Sequence, residues 1–202
     1  MNQLGLPEVF IILDTEVTTW EGAAIRNWSG PSEHRELVQL GAAVVGFEPA
    51  TGKVQEITTL CTLVKPVINP ALSDYFIELT GITQEMIDEK AIPFKEFLPW
   101  FTEWAGWYDL YSCDTKIDGS HLFDRDVLME NCKLNKLEFP FEQDRFFNIH
   151  ETFHRDGYII KQSGQASLAF GVEPKQRSHD ALKDVRGLID GLNLLIERGP
   201  KK

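Results

Sequence analysis

The sequence predicts an α/β protein, a mixed sheet with helices on both faces. Three observations carry this. Apolar runs of strand length fill the first third of the chain. Helical periodicity takes over after Lys65-Pro66. A further short apolar run at residues 110–113 then falls between two helical stretches, and this alternation suits layered sheet and helix.

Residues 9–13 form an apolar run that leads into Asp14. Leu37–Phe47, rich in Val, Ala and Gly, follows a polar loop around residues 28–36. Residues 57–64 read as a third strand, with residues 50–53 as the turn before it. Thr83 is a suitable N-cap for a short helix over 84–89. Pro93 marks the next helix start, with Phe94, Phe97, Leu98, Phe101 and Ala105 at helical spacing. A helix is expected from about Asp124 to about Cys132, with Phe123, Val127 and Leu128 on one face. The last helix carries the stripe Leu182, Val185, Leu188, Ile189, Leu192, Leu195 and Ile196. Gly199 ends it, and Ser178 is a candidate cap.

The 202 residues fit one domain over 1–202, with its core at about 7–198 and a frayed GPKK tail. A composition 43% hydrophobic and 25% charged is that of an ordinary globular protein. No apolar run approaches the ~18–20 residues of a membrane span, so no membrane partner is expected. The start of the chain shows neither a basic leader nor a cleavage site, and VFIIL reads as a buried strand. Cys61, Cys113 and Cys132 form no CxxC, which argues for a reducing, cytoplasmic location. The formal net charge of −11 disfavours a broad groove that tracks duplex phosphates. It leaves room for a small site that grips one strand end through metal ions, whose own charge offsets the acids.

Four features carry chemistry. Asp14-Thr15-Glu16 places two carboxylates on the same side of a strand, because residues i and i+2 share a face. Two adjacent acids repel unless a cation lies between them, and hard divalent ions take oxygen ligands. A lone pair of this kind is more often two solvated acids at a strand edge. The second feature is His179 and Asp184 at the head of the last helix. Were both helical, five residues would turn them about 140° apart, so convergence requires His179 in the preceding loop. The third is Asp124 at a helix start, with Asp114, Asp118 and Asp126 as rivals. The fourth is Leu79-Thr80-Gly81-Ile82, a wall for a flat base or else an ordinary turn.

In this order, the features resemble the DEDDh exonucleases, the DnaQ-like branch of the ribonuclease H-like fold. Asp14 to Trp20 (DTEVTTW) looks like the opening motif of the Eri-type exoribonucleases. Residues 65–74 (KPVINPALSD), continuing to LTGIT at 79–83, look like their middle segment. The resemblance implies a mixed five-stranded sheet and a catalytic set of Asp14, Glu16, Asp124, His179 and Asp184. The four acids would hold two Mg2+ or Mn2+ ions, and His179 would be the base. It implies a substrate pocket bordered by Thr15, Val17, Trp20, Leu79, Thr80, Gly81 and Ile82. It further implies 3′-to-5′ hydrolysis of single-stranded RNA or DNA ends, RNA favoured, releasing nucleoside 5′-monophosphates. Lys175 and Arg177 are candidate phosphate contacts, and the oligomeric state stays open.

The chain departs from the family in two places. Ser120-His121-Leu122-Phe123-Asp124 lacks the proofreading form of the middle motif, which makes a DNA proofreading activity the second reading. There is also no room for the extra nucleic-acid-binding domain of some Eri-type enzymes. The Tyr of the DEDDy branch is replaced by Asp180. Two further classes remain. His150-Glu151-Thr152-Phe153-His154 matches the HExxH of zinc proteases, but the third ligand position holds Ile160 and Gly157 closes the helix early. This stretch is expected to be a short amphipathic helix with Ile149 and Phe153 inward. A non-catalytic binding module would usually have lost an acid.

Overall fold

The structure, a computed structural model, describes residues 3–114, 122–175 and 179–201. Among them, β1 spans Val9–Val17, β2 Leu37–Phe47, β3 Val54–Lys65, β4 Ile92–Pro93, β5 Leu110–Ser112 and β6 Phe146–Asn148. The helices are α1 (Asp74–Thr80), α2 (Gln84–Lys90), α3 (Phe94–Ala105), α4 (Phe123–Leu134), α5 (His150–Arg155) and α6 (Ala181–Arg198). A 3-10 segment covers Ser163–Phe170. The strands form one sheet in the order β4-β3-β2-β1-β5-β6. β1, β2 and β3 are antiparallel neighbours, while β5 runs parallel to β1 and β6 parallel to β5.

The expected α/β layering holds, but among the described residues the sheet has six strands and not five. The two short edge strands explain the difference. β4 has two residues and β6 three, too few to show alternation in sequence. β1 also does not stop at Leu13 but runs on to Val17, so the acidic pair lies within the strand.

Strand alternation divides the core between the two faces. Ile11, Leu13 and Val17 pack with Phe97 and Phe101 of α3 and Val127 and Leu128 of α4. Phe10 and Ile12 pack with Val185, Leu188 and Leu192 of α6 and with Phe153 of α5. α6 lies unusually close to the sheet at its first turn. A Cβ on Gly41 of β2 would fall 2.2 Å from Leu182 N and 2.4 Å from the Ala181 carbonyl carbon. The Gln39 Oε1 beside it accepts the Ala181 N–H at 2.9 Å. Gly41 and Gln39 pair across the ladder with Asp14 and Glu16, so the contact that seats α6 also brings it over the acids.

α4 is seated on the other face by a buried amide. Asn131 Oδ1 accepts the Leu37 N–H at 3.0 Å, and its Nδ2 donates to the carbonyls of Arg35 (2.9 Å) and Val127 (2.8 Å). α1 escapes the periodicity reading, although Ser73 caps its start by accepting the Phe76 N–H and Gly81 ends it at φ 78°.

Candidate active site

Asp14, Glu16, Asp124, His179 and Asp184 all line one cleft of about 280 Å³ at the carboxyl end of β1. Asp14 and Glu16 continue the series Phe10, Ile12 toward α6. Thr15 turns the other way, and its hydroxyl donates to Asp124 Oδ1 at 2.6 Å. One strand end thus gathers acids from helices on both faces. Asp124 comes from the first turn of α4 and Asp184 from the first turn of α6.

His179 lies in the loop before α6, as convergence requires, and takes a left-handed conformation at φ 66°. That region is uncommon for a residue with a Cβ and clusters at functional sites. Its backbone N–H donates to Asp184 Oδ2 at 3.1 Å. The helix cap is Asp180, whose side chain accepts the Lys183 N–H. The proposed cap Ser178 lies outside the described residues, as do Arg177 and Asp118.

Of the rivals to Asp124, Asp126 pairs with Arg125 at 2.8 Å. Asp114 does line the cleft, but its Oδ2 accepts the Phe123 N–H at 3.1 Å. It thereby tethers the start of α4, the turn that carries Asp124. Ser163, which the sequence reading missed, donates to Asp14 Oδ1 at 2.9 Å. Its only sequence signal was a hydroxyl ahead of a run of small residues.

The electrostatics are those of crowded, buried acids, with Lys183 the cation that opposes the shift at Asp184. Burial, followed by the charges of Asp124, Asp184 and Glu16, holds Asp14 well above the ordinary carboxylate range; the Ser163 hydroxyl works in the opposite direction. Glu16 is pushed up to about 8, by burial first and then by Asp184 and Asp124. Burial raises Asp124 and Asp184 to about 6 each, opposed by the Thr15 hydroxyl and the His179 amide respectively.

The donor set fits a divalent cation. Ligand atoms of Glu16, His179 and Asp184 all lie within 4.8 Å of one another. Asp184 Oδ1 is buried and accepts no hydrogen bond among the described residues, which for a carboxylate oxygen is costly. A hard ion would satisfy it and offset the repulsion together. Burial and the neighbouring acids push the Cys113 thiol upward, so it lines the cleft as a neutral thiol and not as a soft thiolate ligand.

Of the expected substrate wall, Thr15 lines the cleft, and the other six residues are not among its lining. Val17 is 6% exposed and belongs to the core beside Leu13. Trp20 is half-buried at the turn after β1, where its carbonyl accepts the Ala23 N–H. Leu79 and Thr80 end α1, Gly81 is its left-handed cap, and Ile82 packs against Val38, Phe76 and Ile87. Lys175 Nζ donates to Asp190 Oδ1 at 2.7 Å, on the wall of a different cavity.

The HExxH stretch forms α5, with Ile149 and Phe153 buried as expected. Both ring nitrogens of His150 are spent inside the fold. Nε2 accepts the Ile160 N–H at 3.0 Å, so Nδ1 carries the proton and faces the Asp114 carbonyl at 2.9 Å. A zinc ligand needs one of those nitrogens free, so this helix is structural.

Known proteins resemble this chain in sequence and fold. The 3′-5′ exoribonuclease 1 of Homo sapiens is 28% identical over 199 residues, covering 92% of this chain and 54% of the human protein. The 3′-5′ exonuclease crn-4 of Caenorhabditis elegans is 23% identical over 96% of this chain and 65% of its own length. The chain therefore spans little more than half of the first of these relatives. The solved nuclease domain of 3′hExo, a DEDDh family member bound to rAMP, superposes with a TM-score of 0.73. It is 22% identical, with 97% of this chain and 95% of that one covered, and shows the same fold. The model of the exonuclease family RNase T matches residues 11–190. With nearly its whole fold inside that match, the chain belongs to the RNase T exonuclease family.

Proposed function

We propose that this chain is a divalent-metal-dependent 3′-to-5′ exonuclease acting on single-stranded or short nucleic-acid ends, RNA in preference to DNA. The observation that carries the reading is the convergence of Asp14, Glu16, Asp124 and Asp184 with His179 in one cleft. The relatives named as exoribonucleases support the preference for RNA. The net charge of −11 supports engagement of an end over a long duplex.

Asp14, Glu16, Asp124 and Asp184 would hold two Mg2+ or Mn2+ ions. When bound, these supply Lewis-acid activation of water and neutralise charge developing on the phosphate. The protein's part is to fix the acids and to move one proton. The imidazole of His179 takes a proton from the attacking water, a task that suits a side chain that changes charge near neutral pH. The water oxygen bonds to phosphorus as the bond to the 3′ oxygen breaks, and the departing oxygen takes up a proton from solvent. One nucleoside 5′-monophosphate leaves, and the shortened strand keeps a 3′-OH.

The test is release of a 3′-end label from matched RNA and DNA oligonucleotides with magnesium and with EDTA. Release of labelled 5′-monophosphate from RNA, faster than from DNA and abolished by EDTA, is the expected result. His179→Ala should lower kcat by roughly 10²–10⁴-fold, the usual contribution of a general base. Undiminished turnover in that variant would remove His179 from the catalytic set. Faster release from DNA would favour the proofreading-type reading.

A further inference from the structure

The structure assigns Ser163 as the positioning residue of Asp14: its hydroxyl fixes the orientation of the carboxylate that lies among the other three acids, and so sets the affinity of the cleft for divalent ions. This rests on the metal-dependent reading above and deepens it.

The inference starts from the Ser163 hydroxyl, which donates to Asp14 Oδ1 at 2.9 Å from a segment 149 positions away. Ser163 also lines the cleft. A hydroxyl has one proton to give. With that proton on Oδ1, rotation of the carboxylate is restrained. Hydrogen bonds to a charged acceptor are the strong class.

The placement of Ser163 is itself built in. The 3-10 segment that begins at Ser163 lies on α6 through contacts that admit no side chain. A Cβ on Gly187 would meet Gly164 Cα at 2.7 Å, and one on Gly191 would meet Ala166 Cβ at 2.7 Å. These approaches fix the register of the segment along the same helix that supplies Asp184. Asp14 and Asp184 are thereby referred to one rigid support, Asp184 directly and Asp14 through Ser163.

The experiment titrates manganese into the full, nucleic-acid-free chain and reads the free ion by electron paramagnetic resonance. Ser163→Ala is expected to bind manganese about tenfold more weakly, the loss of one hydrogen bond to a charged group. The metal concentration for half-maximal hydrolysis should rise by the same factor, with KM for RNA unmoved. Ser163→Thr, which keeps the hydroxyl, is expected to restore the affinity. Wild-type affinity in Ser163→Ala overturns the assignment and leaves the proposed function standing. An equal loss in Ser163→Thr overturns it as well, because the hydroxyl is then not the active feature. A wild-type protein that binds no manganese overturns the metal-dependent reading and this assignment with it.

Discussion

Replacing Asp14 with alanine is expected to abolish release of the 3′ label, by roughly three orders of magnitude or more, with the fold intact. Loss of one well-placed electrostatic group in an enzyme site costs about 10²–10³-fold. Asp14 should exceed this because each of the other three acids acts on it. No neighbour can replace it, since Leu13 and Thr15 face the opposite side of the sheet.

The same residue gives a second readout with a definite sign. The cleft acids sit above their ordinary range, at about 6 for Asp124 and Asp184 and about 8 for Glu16. The folded state therefore holds protons that the unfolded chain has released. The stability this contributes is fully present below the ordinary carboxylate pKa near ~4 and is lost as pH rises through about 6 and about 8. Without metal, Tm should fall over that window. Asp14→Asn removes one interacting charge, so at pH 8 and without metal it should melt above the wild type. In a domain of this size the gain is about 2–4 °C for each kcal/mol relieved. At pH 5 the gain should shrink, because the wild-type acids are then largely protonated. Saturating magnesium should reverse the order at pH 8. An Asp14→Asn protein that melts below the wild type at pH 8 without metal would contradict the repulsion described above.

The second large effect is expected at Gly41, which carries no chemistry. Alanine there is the smallest change available, yet its Cβ would lie 2.2 Å from a backbone nitrogen of α6. Backbone cannot yield as a flexible side chain does, so the first turn of α6 must lift from β2. Asp184 and the His179 loop rise with it. A displacement of about 1 Å costs on the order of 10²-fold in a positioned site. Gly41→Ala should therefore lose at least that much kcat/KM and weaken manganese binding. Full activity in this variant would show that α6 is not seated as described.

These two residues also mark what the sequence could and could not disclose. Asp14 and Glu16 were legible because a period of two places them together, and Asp184 because the apolar stripe of α6 locates its own first turn. The need for His179 to leave the helix followed from arithmetic, and its φ of 66° meets that need. Choosing Asp124 over Asp114 and Asp126 depended on Thr15, a contact across 109 positions that no local pattern encodes. Ser163 and Gly41 were invisible for the same reason, since a hydroxyl or a missing Cβ has meaning only once its distant partner is known. α1 has cap signals in Ser73 and Gly81, but its seven residues are too few for a helical apolar stripe to register. β4 and β6 are too short for periodicity to register.

Three of the four acids come from β1 and α6, the first and last elements among those described, and Asp124 comes from α4 between them. During synthesis the amino-terminal strands leave the ribosome first and can pair as hairpins. Asp14 and Glu16 then stand on a nascent sheet without Asp184, without His179 and without the segment that carries Ser163. On the proposed activity, the nascent chain gains its full catalytic set only once α6 has emerged and docked.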